Sequence, residues 1–413
     1  MIEFVALSVL GIVIGLFAGL TPGMHVNTLI PLILSLTAFF DLQPYHLAVL
    51  ITSTAMSEIF FNFIPSIFLG APEEGTALSV LPGHRLLLEG RGYEAIKLTV
   101  VGGIGALVSG LVFITLLSPY FTSFYNLTRP YIHFAIIAIV LFMVFSERKP
   151  KKIISALFII LLSGAFGLLV LNSQLLPQQS LLFPVLTGMF GLSILIVSVS
   201  EKSHLPEQKE DFSLNISSKE ILKSIILGSI AGIVVGFLPA VGISEAATMV
   251  QYLGGSGEAR NFLVTLSGIN VGNEVFSLVS LYLVNNPRSG PSVAIQQILT
   301  ELTIYDVVLL IGVICFVSGI SALLTLFLGK TIPKFLIKLD YKMLTLSVIS
   351  LICTMVFLLT GINGILILSI STAIGLLCAH LEVRRSHCMG VLLLPSICFF
   401  MGLTPSIISI LTD

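Results

Sequence analysis

The sequence predicts an all-α polytopic membrane protein: two inverted-topology repeats of about seven membrane segments each, with paired broken or re-entrant helices. Three observations carry this reading. Of 413 residues, 56% are hydrophobic and 10% charged, against roughly 25% charged in ordinary soluble domains. Apolar runs of about 20 residues, long enough to span a bilayer, recur along the chain. Two glycine–proline breaks of one design then lie in separate halves, GLFAGLTPGMHVN from Gly15 and GIVVGFLPAVGISEAATMVQY from Gly232. Gly15, Gly19 and Pro22 each stand 217 residues before Gly232, Gly236 and Pro239. An interior proline removes a backbone donor. In hydrocarbon such a break persists only where protein or a water-filled cavity satisfies the freed groups.

In chain order the candidate spans are 2–21, 25–40, 45–70, 94–117, 131–146, 153–172 and 181–199. A polar connector occupies 200–220, and the second set runs 221–239, 242–253, 260–285, 306–328, 343–360, 364–381 and 389–411. The domain reading is therefore 1–199, first repeat; 200–220, cytoplasmic connector; 221–413, second repeat. The short second span of each set fits half of a re-entrant hairpin equally well. Met1–Leu20 lacks a basic start and leads into the first break, so no cleavable signal is expected. Cys315, Cys353, Cys378, Cys388 and Cys398 show no CxxC spacing and are expected to be small membrane hydrophobes.

The halves match beyond their opening motifs. Glu58 of SEIFFNF pairs with Glu274 of NEVFSLV, 216 residues on. Pro72 and Gly75 of APEEG pair with Pro287 and Gly290 of NPRSG at 215. Gly167 pairs with Gly375 and Pro184 with Pro395, at 208 and 211. A repeat of about half the chain is the scale of a transporter half. Its inversion follows from charge, because Lys and Arg accumulate in cytoplasmic loops. Basic loops at His84–Lys97, Arg148–Lys152, Lys202–Lys223, Lys330–Lys342 and Arg384–Arg385 all fall on one face. Their counterparts in the other half are nearly bare. Seven crossings per half require this alternation and put both termini outside.

Inverted repeats with broken helices are a design of secondary transporters, with sites near the midplane. Half-helix N-termini offer amides and a positive dipole end to an anion. The residues expected to bind substrate are Pro22, Gly23, His25, Asn27, Pro239, Gly242 and Ser244. Those expected to carry a coupling Na⁺ or proton are Glu58, Asn62, Glu245, Asn270, Asn273 and Glu274, since an ionisable group inside a span is a functional candidate by default. No cofactor is expected beyond that ion. The function read from this pattern is a permease for a small organic anion in a prokaryotic cell membrane. Membrane lipid is a partner, a homodimer is among the assemblies considered, and nucleic acid is not expected.

Three stretches resemble the large membrane subunit of tripartite tricarboxylate transporters, the TctA family. The two breaks resemble that family's glycine–proline–glycine motifs. IFLGAPEEGTALSVLPGHRLLLEGRGYEAI resembles its PG-type turn with a glycine–arginine tail, on which Pro72, Gly83, Gly90, Arg91, Gly92 and Ala95 fall. NNPRSGPSVA takes the place of the family's other turn. The likeness implies carboxylate uptake driven by a cation gradient, a periplasmic binding protein and a small second membrane subunit. His25 and Ala240 stand where the family carries glycine, and Asn273–Glu274 replaces paired asparagines.

Each candidate also has a plain structural reading. The breaks could be packing kinks. Glu58 and Glu274 could be buried acids bonded to Asn62, Ser57 or Asn270. Glu245 could cap a half-helix, and His25 could be a packing residue or a titrating switch. Arg85 and Arg91 read as interfacial anchors, Glu73 and Glu74 as loop solvation or a cation access point, and His133 as a rim residue. Asn126-Leu-Thr and Asn215-Ile-Ser match a glycosylation pattern with no secretory context to support it. Two other functions remain open: a carrier or flippase for an anionic lipid such as a polyprenyl phosphate, since helix N-termini bind phosphate as readily, and an intramembrane enzyme using paired carboxylates. Seven scattered histidines without HExxH-like spacing argue against a zinc enzyme.

Overall fold

The computed structural model describes residues 2–21, 25–35, 43–71, 74–147, 149–173, 175–176, 178–200, 208, 214–237, 242–253, 258–285, 287–299, 302–336 and 341–403. Among them there is no β-strand. The first half runs through α1 (Ile2–Leu20), α2 (Val26–Ser35), α3 (Pro44–Phe61), α4 (Phe63–Leu69), α5 (Val80–Leu88), α6 (Gly92–Thr128), α7 (Ile132–Phe145), α8 (Pro150–Asn172), α9 (Gln178–Leu186) and α10 (Ser193–Ser200). A 3-10 turn, Glu74–Ser79, precedes α5, and a π-helical turn, Thr187–Leu192, joins α9 to α10. The second half runs through α11 (Ser218–Phe237), α12 (Ile243–Leu253), α13 (Ala259–Val284), α14 (Gly290–Ile298), α15 (Ile304–Leu336), α16 (Tyr341–His380) and α17 (Gly390–Phe400). Local chemistry sets several boundaries. Pro44 and Pro150 open α3 and α8 in the first turn, where a missing N–H costs nothing. Gly70, at φ 63°, closes α4 in the left-handed conformation that glycine adopts without strain.

Eight helices among the described residues are long and apolar enough to cross a membrane, so this is a multi-pass membrane protein. Two of them form its centre. In Pro44–Leu69 (α3 continuing through Asn62 into α4) and in Ala259–Val284 (α13), 94% of the most apolar stretch is buried, against 28–50% in the other six. Both central helices are 26 residues long.

Small residues let each central helix pack on its predecessor. A Cβ on Gly19 would stand 2.7 Å from Phe61 Cβ, and one on Gly236 would stand 2.6 Å from Phe276 Cβ. Contacts from Gly11 with Ser53 to Gly19 with Phe61 make α1 and α3 parallel. Contacts from Gly228 with Gly268 to Gly236 with Phe276 do the same for α11 and α13. Between parallel neighbours the chain must return across the membrane. Between them the described helices are α2 and α12, of 10 and 11 residues. Of the expected spans 25–40 and 242–253, residues 26–35 and 243–253 are helical, and 36–40 lie outside the described residues.

The centre is also crossed between halves. Gly92, the first residue of α6, packs on Phe68 at the end of α4, so α6 runs back against α3. It runs parallel to α13, from Ser267 donating to Thr99 O at 2.5 Å to Gly110 against Phe276. Hence α3 and α13 point in opposite directions. Further out, Gly167 of α8 faces the Val391 carbonyl of α17, and its counterpart Gly375 of α16 faces the Met189 carbonyl of the π-helical turn. Helix α16 is two helices joined at a break: Gly361 adopts φ 65°, ψ −158°. Val356 comes 3.3 Å from the Cβ position of Gly364, whereas residues eight apart on a straight helix lie about 12 Å apart.

Beside the start of α6, buried Glu94 accepts the Nε–H of Arg91 and of Arg260, each at 2.9 Å, and the Asn215 N–H at 2.9 Å. Gln208 accepts the Gly92 N–H at 2.9 Å. These bonds seat the described connector residues on α5 and α6. The five cysteines are free thiols.

Candidate functional site

The two central helices, helices α2 and α12 and the two glycine turns meet around a cavity of about 350 Å³. Helix α3 supplies Ala55, Glu58, Ile59 and Asn62, and α13 supplies Asn270, Asn273 and Glu274. On each 26-residue helix the acid lies about 2–4 Å past the midpoint, counting 1.5 Å per residue. The start of α2 contributes His25, Val26 and Asn27, and the start of α12 contributes Gly242, Ile243 and Glu245. Gly75 comes from the first turn, Arg288, Ser289, Gly290 and Pro291 from the second, Val235 from α11 and Ser396 from α17.

Three helices therefore begin at the cavity wall, where first-turn N–H groups lack intrahelical partners. Ser289 caps α14, accepting the Ser292 N–H at 3.3 Å, and its hydroxyl lies 3.3 Å from Glu274 Oε1 as a donor. The Asn27 N–H donates to His25 Nδ1 at 3.1 Å. His25 lies close enough to Glu274 to interact with it electrostatically. The two turn glycines each take an asparagine from the other half. A Cβ on Gly75 would strike the amide of Asn270, which donates to Gly75 O at 2.8 Å, and a Cβ on Gly290 would strike the amide of Asn27.

Charge is concentrated here and buried. Glu58, Glu245 and Glu274 are 1%, 4% and 7% exposed. Arg288 is the one lysine or arginine among the described lining residues. Asn27 Oδ1 and Asn62 Oδ1 are buried acceptors without a hydrogen-bond partner among the described residues. Such oxygens suit a cation or a ligand donor.

Of the residues singled out from the sequence, His25, Asn27, Glu58, Asn62, Gly242, Glu245, Asn270, Asn273 and Glu274 share this wall. Ser244 is buried but does not line it, and its carbonyl accepts the Thr248 hydroxyl at 2.8 Å. Ser57 likewise faces α1, near Gly11 and Gly15. Pro22, Gly23 and Pro239 lie outside the described residues. Sequence reasoning missed Arg288, Ser289 and Ser396. For the first two a signal existed: the NPRSG turn repeats APEEG at an offset of 215, with charge reversed. Ser396 carries no such mark.

The family model described as "Tripartite tricarboxylate transporter TctA family" matches residues 5–390. An uncharacterised protein of Methanocaldococcus jannaschii is 32% identical in an alignment of 408 positions that covers 95% of this chain and 98% of that protein. No solved structure matches the chain. With the match running over nearly the whole sequence, through both breaks and both turns, the chain belongs to the tripartite tricarboxylate transporter TctA family.

Proposed function

We propose that this protein is a secondary active permease that carries a small organic anion, a di- or tricarboxylate, through the central cavity together with Na⁺ or H⁺. The observation that carries the reading is the cavity's charge: three buried carboxylates and one guanidinium converge from both halves. Like charges about 6 Å apart repel by about 3 kcal/mol at an effective dielectric of 20. With its acids ionised, the cavity therefore rejects a polyanion. Protonation, or Na⁺ held by Glu58, Asn62 and Asn27 oxygens, removes that barrier, so cation and anion enter together. Arg288 then receives a carboxylate on its planar fork of donors, beside the amides that open α2, α12 and α14.

The inverted-repeat reading, 1–199 against 221–413, draws support from the opposed directions of α3 and α13 and from the crossed Gly167 and Gly375 contacts. Two such halves around one central site suit alternating access. The family description, a tripartite system, supports a small membrane subunit and an extracytoplasmic binding protein as partners. Basic loops on one face support a cell membrane location with both termini outside. The anionic-lipid reading has one observation in its favour, a second cavity beside Phe399, which is 61% exposed.

The test is uptake by purified protein in liposomes, comparing di- and tricarboxylates under imposed Na⁺ and proton gradients. Gradient-dependent accumulation of one acid, with or without added binding protein, is the expected result. Movement of a polyprenyl phosphate, with no carboxylate accumulated under either gradient, would replace this reading with the lipid one.

A further inference from the structure

A second cavity of about 220 Å³ lies between α8 and α17. It meets the central cavity at Glu245 and Ser396, which line both. Its other walls are mainly apolar: Leu171 from α8, and Leu392, Pro395 and Phe399 from α17. The two helices touch closely on one side of it. Pro395 has no N–H to return to the Val391 carbonyl, one turn earlier in α17. That carbonyl faces Gly167 of α8, where a Cβ would stand 2.8 Å from the Val391 carbonyl carbon. Towards their C-terminal ends the same helices enclose the apolar space.

An all-polar di- or tricarboxylate would use the central cavity and leave this space unused. Resting on the carboxylate reading above, we infer that the substrate is an amphipathic organic acid. Its carboxylates occupy the central cavity by Arg288, and an aryl or short branched alkyl group passes Glu245 and Ser396 into the cavity between α8 and α17. Apolar burial is additive over the surface removed from water, so such a group adds affinity without a further charged contact.

The experiment measures calorimetric affinities of the full chain in nanodiscs for matched pairs, succinate with phenylsuccinate and glutarate with 3-phenylglutarate, with citrate as an all-polar reference. The expected result is that the phenyl acids bind at least about tenfold more tightly than their parents. In Leu392→Trp and Leu171→Trp, which fill the second cavity, that ratio falls to about one. Each variant's ratio is internal, so a partial loss of folded protein does not mimic the effect. Parents binding as tightly as phenyl acids in the wild type would overturn the inference and leave the carboxylate reading standing. A preference that survives both fillings would place the ring elsewhere and also overturn it. If none of the five acids binds, the carboxylate reading falls and the inference with it.

Discussion

The turns ending at Gly75 and Gly290 are alike in packing and opposite in the charge of their sequences. Each glycine admits an asparagine from the other half, Asn270 and Asn27 respectively. The residues before the glycine differ: Glu73 and Glu74 in the first turn, Arg288 and Ser289 in the second. The second turn contributes to the cavity wall the guanidinium and the serine that donates to Glu274.

The comparison breaks most directly at Arg288. Arg288→Glu, which copies the first turn, removes a donor fork and adds a like charge. It should reduce uptake in liposomes by about 1,000-fold, Arg288→Ala by about 100-fold and Arg288→Lys by about tenfold, following the loss of bidentate geometry and of charge. An Arg288→Glu protein transporting at the wild-type rate would show that the anion binds away from this turn.

A second asymmetry lies in the helix pairs. The contact of α1 with α3 sets glycine against serine, Gly11 on Ser53 and Gly15 on Ser57. The contact of α11 with α13 sets Gly232 on Gly272, with a Cβ on Gly232 reaching 2.8 Å from Gly272 Cα. Gly272→Ser, which copies Ser57 of the first half, should destabilise by about 1–3 kcal/mol through overpacking, read as a lowered thermal midpoint in detergent. Ser57→Gly should cost less, about 1 kcal/mol of helix propensity. Equal midpoints for the two variants would mean that the second pair is no more tightly constrained.

The smallest effects are expected at the turn glycines. In Gly75→Ala and Gly290→Ala the new methyl meets the end of an asparagine side chain, which can rotate away, for Asn270 at the cost of its bonds to Gly75 O and Leu266 O. A few-fold rise in KM with an unchanged thermal midpoint is expected. A large loss of folded protein would show that Asn270 and Asn27 hold the halves together as well as line the site.

Most of the site's acids and amides were legible because membrane hydrocarbon makes them conspicuous. Glu58 and Glu274 stand within apolar helices, where an ionisable group is conspicuous. Arg288 was not, because in sequence it is a loop arginine like Arg85, and only the fold brings it inward. The glycine contacts were hidden too. Gly75 and Gly290 could be matched to each other, but their partners lie on the opposite half, 195 and 263 positions away in sequence. Ser244, expected to bind substrate, is buried beside Glu245 and does not line the described wall.

The central claim is that Glu58 and Glu274 carry the coupling ion for an anion held between them. The most direct test compares two modes of transport in the same liposomes, gradient-driven accumulation and gradient-free exchange of labelled for unlabelled acid, in wild type, Glu58→Gln and Glu274→Gln. Glutamine keeps the shape of the side chain and can still accept from Ser289, but it binds neither a proton nor Na⁺ as a carboxylate does. Both variants should lose accumulation by about 100-fold while retaining a folded thermal midpoint and measurable exchange. Normal gradient-driven accumulation by both variants would contradict the account.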